Sequence, residues 1–389
     1  MHYNFDEIID RRNTNCYKYD LREKFFKNSD LLPMWVADMD IRTPDFILDA
    51  IGQRLEHGVL GYSYHAKSEY KSIARWMLSR HQWNVKEDWI GFAPGVVPSI
   101  CFALLAYTEP GDKIIIQTPV YFPFFSVVKD YQRELTENPL REENGRYRMD
   151  LEDLKSKIDS RTKMLILCSP HNPTGNVWTR EELNELTNIC VENNILILSD
   201  EIHSDIVYPG HKHIPTASLN EDIAAITITL MAPSKTFNMA ALSTSYYIIQ
   251  NLRLREKMDK MIEKYHLTAG NLLGNIALEA AYNKGEAWLD QLLLYLRKNV
   301  EFAGKFIRSE LPMLRMINPE ATFLIWIDFR QTGYDDDTVN RLLIEKANIG
   351  LSSGKIFGKD GKGFQRINIG CPQKILEKGL NRIKMVINN

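Results

Sequence analysis

The chain of 389 residues is expected to fold as α/β, with a large, mostly parallel sheet domain and a smaller α+β domain. Three observations predict this. Near-continuous apolar strands, such as those at 163–168 and 195–199, alternate with helical stretches over the first two-thirds of the chain. That is the signature of a parallel sheet covered on both faces. After Gly285 the pattern changes to a long helix, a few strands and a closing helix. The length also exceeds what one small core uses. The large domain is placed at 46–285, and the smaller one at 1–45 and 286–389.

The first forty-five residues read as irregular, with one apolar patch at 31–36 followed by Ala37, Asp38, Met39 and Asp40. A helix over 45–57 carries Ile47, Leu48, Ile51 and Leu55 at helical spacing, with Thr43 or Asp45 as its cap and Pro44 in its first turn. Gly58 and Gly61 break a turn that holds Tyr62, and a second helix runs over 68–82. Strands are predicted at 89–92, 113–117, 133–139, 163–168, 195–199 and from Ile226 to Thr229. Between them lie an apolar helix at 97–107, a helix at 150–158 capped by Asp150, and one at 179–193 with Thr179 and Glu182 in capping-box register. The run Arg253-Leu254-Arg255 reads as a solvated helix face. Beyond Gly285 come a helix at 287–311, strands at 322–329, 349–351 and 365–369, and a helix at 374–387.

A formal net charge of −2 argues against nucleic-acid or membrane partners. No apolar run approaches a bilayer's thickness, and the N-terminal residues lack a signal-peptide core. Five widely spaced cysteines without a CxxC fit reduced thiols in a cytoplasm and give no zinc signature, so no metal is expected.

Five features fall just after predicted strands, where open α/β sheets bind ligands. Gly95, Val96 and Val97 start a helix whose free N–H groups form a phosphate site. Tyr121 offers an aromatic ring. The loop Ser169-Pro-His-Asn172-Pro-Thr-Gly175 is rigidly punctuated, and Asn172 can present its amide to a phenolic oxygen or a carboxylate. Asp200 follows an apolar strand and needs a cation or a proton-bearing nitrogen if buried. Lys235, between Ser234 and Thr236, is placed to attack a carbonyl once desolvated. Taken singly, each has a plainer reading as a turn, packing ring, cap or surface lysine. Taken together, they call for a phosphate, an aromatic ring, a ring nitrogen and an aldehyde, the four parts of pyridoxal 5′-phosphate.

From Asp38 to Arg366 the chain resembles the fold-type I pyridoxal-phosphate enzymes of aminotransferase class I/II, most specifically through SPHNPTG, SDEIH and SKTFN. The resemblance implies a seven-stranded large sheet. It implies that Lys235 bonds to the cofactor aldehyde, Asp200 to the ring nitrogen and Asn172 to the ring oxygen, with Tyr121 stacked on the ring and Ser234 near the phosphate. It gives Arg366, in RINIGCP, the substrate carboxylate, and places Ala37 beside it. Tyr62 matches a tyrosine that reaches the neighbouring subunit's phosphate, which implies a homodimer with shared active sites.

Within that superfamily the chain is most similar to the cystathionine β-lyase type cysteine-S-conjugate β-lyases, a group that includes the maltose-system modulators of enteric bacteria. DLLPMWVADMD, HGVLGYS and APGVVPSI carry this likeness, with His203 where aspartate-type aminotransferases usually show tyrosine. Ala232 departs from the many relatives with a phosphate-binding serine there. The implied reaction is α,β-elimination on a sulfur-containing amino acid, giving a thiol, pyruvate and ammonia. Lys235 is the base, and Tyr121 and Tyr62 are candidates for protonating the thiolate. Two alternatives stay open at this point: an amino-acid aminotransferase, and a cofactor-binding regulator with a transcription-factor partner.

Overall fold

The computed structural model describes residues 2–387. Its centre is a seven-stranded sheet: β1 (Ile90–Ala93), β2 (Lys113–Ile116), β3 (Glu134–Glu137), β4 (Thr162–Cys168), β5 (Leu196–Asp200), β6 (Thr227–Met231) and β7 (Ser245–Ile248). The spatial order is β1-β7-β6-β5-β4-β2-β3. Only β7 runs antiparallel to its neighbours. The sequence pattern had not located β7, because a short all-buried strand carries no alternation to read. Ile226, expected to open a strand, ends a short helix instead, and the strand starts at Thr227.

Successive side chains of the central strands point to opposite faces. Ile114, Ile116, Ile166 and Leu198 pack toward helices α3 (Val96–Tyr107) and α5 (Leu252–Lys264), while Ile115, Leu165, Leu167 and Ile197 pack toward α4 (Arg180–Glu192). Both faces are therefore buried, which is why these strands read as unbroken apolar runs. Helices α1 (Asp45–Glu56) and α2 (Lys67–His81) lie on α6 (Leu272–Lys284).

A second, four-stranded antiparallel sheet is built from β8 (Arg315–Ile317), β9 (Leu324–Asp328), β10 (Ser352–Ser353) and β11 (Phe364–Asn368). Helices α7 (Glu286–Glu310) and α8 (Gln373–Ile387) pack on each other and share its core. The strand expected at 349–351 does not join this sheet. Ile349–Gly350 pairs in parallel with Leu32–Pro33, tying the N-terminal segment to it.

Asp150 and the Thr179–Glu182 box cap their helices as expected. Neither Thr43 nor Asp45 caps α1. Pro44 occupies that position, and Thr43 donates to the carbonyl of Asn238 instead. Short helices at Tyr17–Asp20 and Arg22–Phe26 interrupt the segment read as irregular. Arg255 is buried rather than solvated, because its guanidinium donates to the carbonyl of Ile249 at 2.9 Å.

Candidate active site

The carboxyl ends of β4, β5 and β6 open into one cavity of about 220 Å³. Asp200 is the last residue of β5, with its backbone between Cys168 of β4 and Leu230 of β6. Its buried carboxylate accepts one bond, from the N–H of Ile202 at 3.2 Å. Burial pushes its pKa up to about 7, and Lys235 offsets this only in part. The site therefore holds a carboxylate without the close cation that would keep it ionised.

Lys235 sits in the turn after β6, where Phe237 N–H closes onto Pro233 O at 2.9 Å. Its amine points into the cavity and donates to Ala37 O at 2.7 Å. Burial and the charge of Arg366 lower its pKa, against the pull of Asp38 and Asp200. On the cavity's other side, Gly95 precedes α3, and Ser99 N–H is bonded back to Gly95 O. The first-turn amides of Val96 and Val97 have no partner within the helix. Gly95 is extended at φ 163°, so its backbone conformation does not require glycine.

The loop after β4 is locked on every side. Trp178 Nε1 donates to Cys168 O, the His171 ring bonds Pro119 O at 2.8 Å, and Asn176 Nδ2 donates to Tyr147 O. These contacts present Asn172 to the cavity. Asn172 Oδ1 accepts from Arg366 Nη1 at 3.0 Å. Arg366 lies mid-strand in the small sheet, paired with Trp326 and Ser352. Its guanidinium stacks on Phe357 at 4.9 Å and donates to Trp35 O, while its buried Nε has no partner.

His203, Ser234 and Tyr121 complete the wall. Burial lowers the pKa of His203 to about 3, so its ring is neutral, and its Nδ1 is unpartnered. Arg366 lines an adjoining vestibule that shares Ala37, Tyr121 and Lys235 with the cavity. Of the sequence candidates, Tyr62 alone stays away. It is fully exposed (108%) and lines neither space.

Reading by motif passed over Asn238, Asn368 and Asp205. Asn238 bonds Met39 N–H, Met39 O and Ile41 O, and Asn368 donates to Val36 O and Asp38 O, so the two amides hold the strap that carries Ala37. Arg11 and Lys18 secure the same strap through Asp38 and Asp40. Asp205 accepts from Thr236, the residue after Lys235, and from Trp76 and the His81 ring. Their signal was present in the sequence: Asn238 lies inside SKTFN and Asn368 inside RINIGCP.

Residues 39–383 match the family model described as Aminotransferase class I and II. The chain belongs to this family. It is similar to the cystathionine beta-lyase PatB of Bacillus subtilis (strain 168), at 42% identity over 386 residues, covering 99% of this chain and 100% of that one. The crystal structure of cystalysin from Treponema denticola, which contains pyridoxal 5′-phosphate, matches with TM-score 0.97 at 36% identity, covering 100% of this chain and 99% of that one. The PLP-bound C-S lyase from Staphylococcus hominis matches with TM-score 0.93 at 35% identity, covering 100% and 99%. For this aminotransferase class I and II chain, no helix among the described residues is long and apolar enough to cross a membrane.

Proposed function

We propose that the chain is a pyridoxal-phosphate-dependent carbon–sulfur β-lyase. It converts cystathionine or another cysteine S-conjugate, with one water, into a thiol, pyruvate and ammonia. The observation that carries this reading is the pairing, across one cavity, of the desolvated Lys235 amine with the buried, cation-starved Asp200. The full-length likeness to lyases supports it over the aminotransferase alternative.

The residues present fit the cofactor. Asp200 has a place for a protonated ring nitrogen, which would restore its charge. The free amides of Val96 and Val97, with Ser234 nearby, suit a phosphate. Tyr121 offers its ring face, and Lys235 suits an aldehyde. When bound, pyridoxal phosphate supplies an electron sink for the pair left at the substrate's α-carbon.

The chain's own residues do the rest. Arg366 receives the α-carboxylate through its unpaired Nε and a neighbouring N–H, a bidentate match that Asn172 keeps in plane. Lys235, whose pKa burial lowers, takes the α-proton. Asp200 keeps a proton at the ring nitrogen. Tyr121 faces the same space and is a donor for the departing thiolate. Tyr62 has no contact with its own cavity, which supports a homodimer in which it serves the partner's phosphate site. The free cysteines support a reducing, cytoplasmic setting.

Incubation of the holoenzyme with S-methylcysteine tests the reaction. Pyruvate is expected without any added keto acid, and none from Lys235→Ala. Strict dependence on a keto acid would assign the site to transamination instead.

A further inference from the structure

Two carboxylates that line neither the cavity nor the vestibule lie buried behind the strand ends, each against a histidine. Asp205 Oδ1 accepts from His81 Nε2 at 2.9 Å and from Trp76 Nε1 at 3.0 Å, both on α2. Its Oδ2 accepts from Thr236 Oγ1 at 2.8 Å. Glu201 Oε2 lies 2.8 Å from His213 Nε2, and its Oε1 accepts from Ser199 Oγ and the Thr216 N–H. The rings of His81 and His213 meet edge to face at 5.5 Å, so the two couples touch.

The packing around Asp205 does not call for a charge. Trp76 stacks on Tyr282 at 4.9 Å and meets Phe237 edge-on at 5.8 Å. A buried ion pair adds little stability over apolar side chains of the same volume. What it adds is direction, because hydrogen bonds to a carboxylate hold their donors in place where packed rings can slide.

The direction set here is that of Lys235. Its amine faces the cavity, whereas the next residue, Thr236, is fully buried and gives its hydroxyl to Asp205. The backbone bonds at 233–239 close the lysine turn on itself. Asp205 ties that turn to its neighbours. It belongs to the turn that also carries Asp200 and His203, closed by Ser204 N–H on Glu201 O and Ile206 N–H on His203 O, both at 2.9 Å. One carboxylate therefore joins the turn that holds Lys235, the turn that holds Asp200, and helix α2.

We propose that Asp205, backed by His81, is a positioning residue for Lys235: acting through Thr236, it holds the amine at the Ala37 carbonyl and at a fixed place relative to Asp200. This rests on the reading of Lys235 as the group that meets the cofactor aldehyde, and adds what keeps it there. A reacting group misplaced by about 1 Å can lose about a hundredfold in rate, so a small rotation of this turn is enough to matter.

Two substitutions isolate the bond. Thr236→Val keeps the side chain's shape and removes its hydroxyl, while Thr236→Ser keeps the hydroxyl. The Thr236→Val holoenzyme is expected to lose about tenfold in kcat with KM within about twofold, and Thr236→Ser to stay within about twofold of wild type in both. A bond that served stability alone would lower the unfolding midpoint and leave kcat per cofactor-loaded site unmoved. That result in Thr236→Val would overturn the proposal, as would an equal fall in Thr236→Ser.

A second measurement does not depend on elimination. The full-length, cofactor-free chain is mixed with pyridoxal phosphate, and capture by Lys235 is followed by absorbance. Thr236→Val is expected to capture it about tenfold more slowly than wild type. Equal rates would sink the positioning role. A wild type that captures the cofactor but releases no pyruvate from S-methylcysteine would count against the lyase reading, and the capture rates would still decide the role of Asp205. If Thr236→Val does not fold, His81→Leu and His81→Gln make the comparison from α2, since glutamine can still donate to Asp205. Leucine is expected to slow capture about threefold more than glutamine. No difference between the two would show that Asp205 does not hold the lysine.

Discussion

Arg366 is held flat by Phe357, Asn172 and the carbonyl of Trp35, yet keeps one buried N–H free. A group so fixed loses little entropy on meeting a carboxylate. Arg366→Ala is expected to raise KM by an amount worth about 2–5 kcal/mol while leaving the cofactor absorbance in place. Steady-state kinetics beside a spectrum would check both halves. Asp200 makes a different prediction. Burial raises its folded pKa to about 7 from an ordinary value of 3.8, so the folded chain holds this proton more tightly than the unfolded one. The stability from this proton is therefore full below about pH 4 and is lost as pH rises toward 7. Cofactor-free wild type should lose up to roughly 4 kcal/mol against Asp200→Asn over that window. Parallel unfolding curves at each pH would show it, and a flat difference would mean that Asp200 is ionised throughout.

At the scale of the element, the loop after β4 shows how the sequence sets a side chain's direction. Gly175 stands at φ +76°, and a Cβ there would come within 2.9 Å of Pro319. Its carbonyl also accepts the amides of Glu320 and Ala321. Glycine is needed because backbone meets backbone in a left-handed conformation. Gly175→Ala is expected to cost roughly 2 kcal/mol or more in chemical denaturation. It should also lower substrate affinity by displacing Asn172 from Arg366. The strap that carries Ala37 works in the same way. Two asparagine amides and two carboxylates fix its backbone, and the carbonyl of Ala37 thereby meets the Lys235 amine.

For the whole molecule, the turn from Gly58 to Tyr64 is the exception. Val59, Leu60, Tyr62 and Tyr64 stand out in solvent and line neither the cavity nor the vestibule of their own chain. If Tyr62 completes the partner's phosphate site, Lys235→Ala and Tyr62→Ala proteins, each inactive alone, should regain activity when their subunits exchange. A heterodimer carries one site with both defects and one with neither. With exchange shown independently, no recovery would mean that Tyr62 serves its own chain.

The sequence by itself determined the strand–helix alternation, and with it the line of strand ends where Gly95, Tyr121, Asn172, Asp200 and Lys235 fall. It could do so because burial on both faces writes an apolar run into each parallel strand, and because turn residues mark each end. It did not place β7, whose four buried residues look the same for any partner. It misjudged Arg255, since a buried guanidinium satisfied by carbonyls has the same letter as a solvated one. Only the tertiary structure brought Arg366 to Asn172 across 194 positions. It also carried Ala37 to Lys235 across 198 and gathered Tyr17, Phe25 and Trp35 over the mouth of the site. Local pattern fixes which way a residue faces within its own element. Which distant residue it meets depends on how the elements pack, and no single stretch of sequence records that.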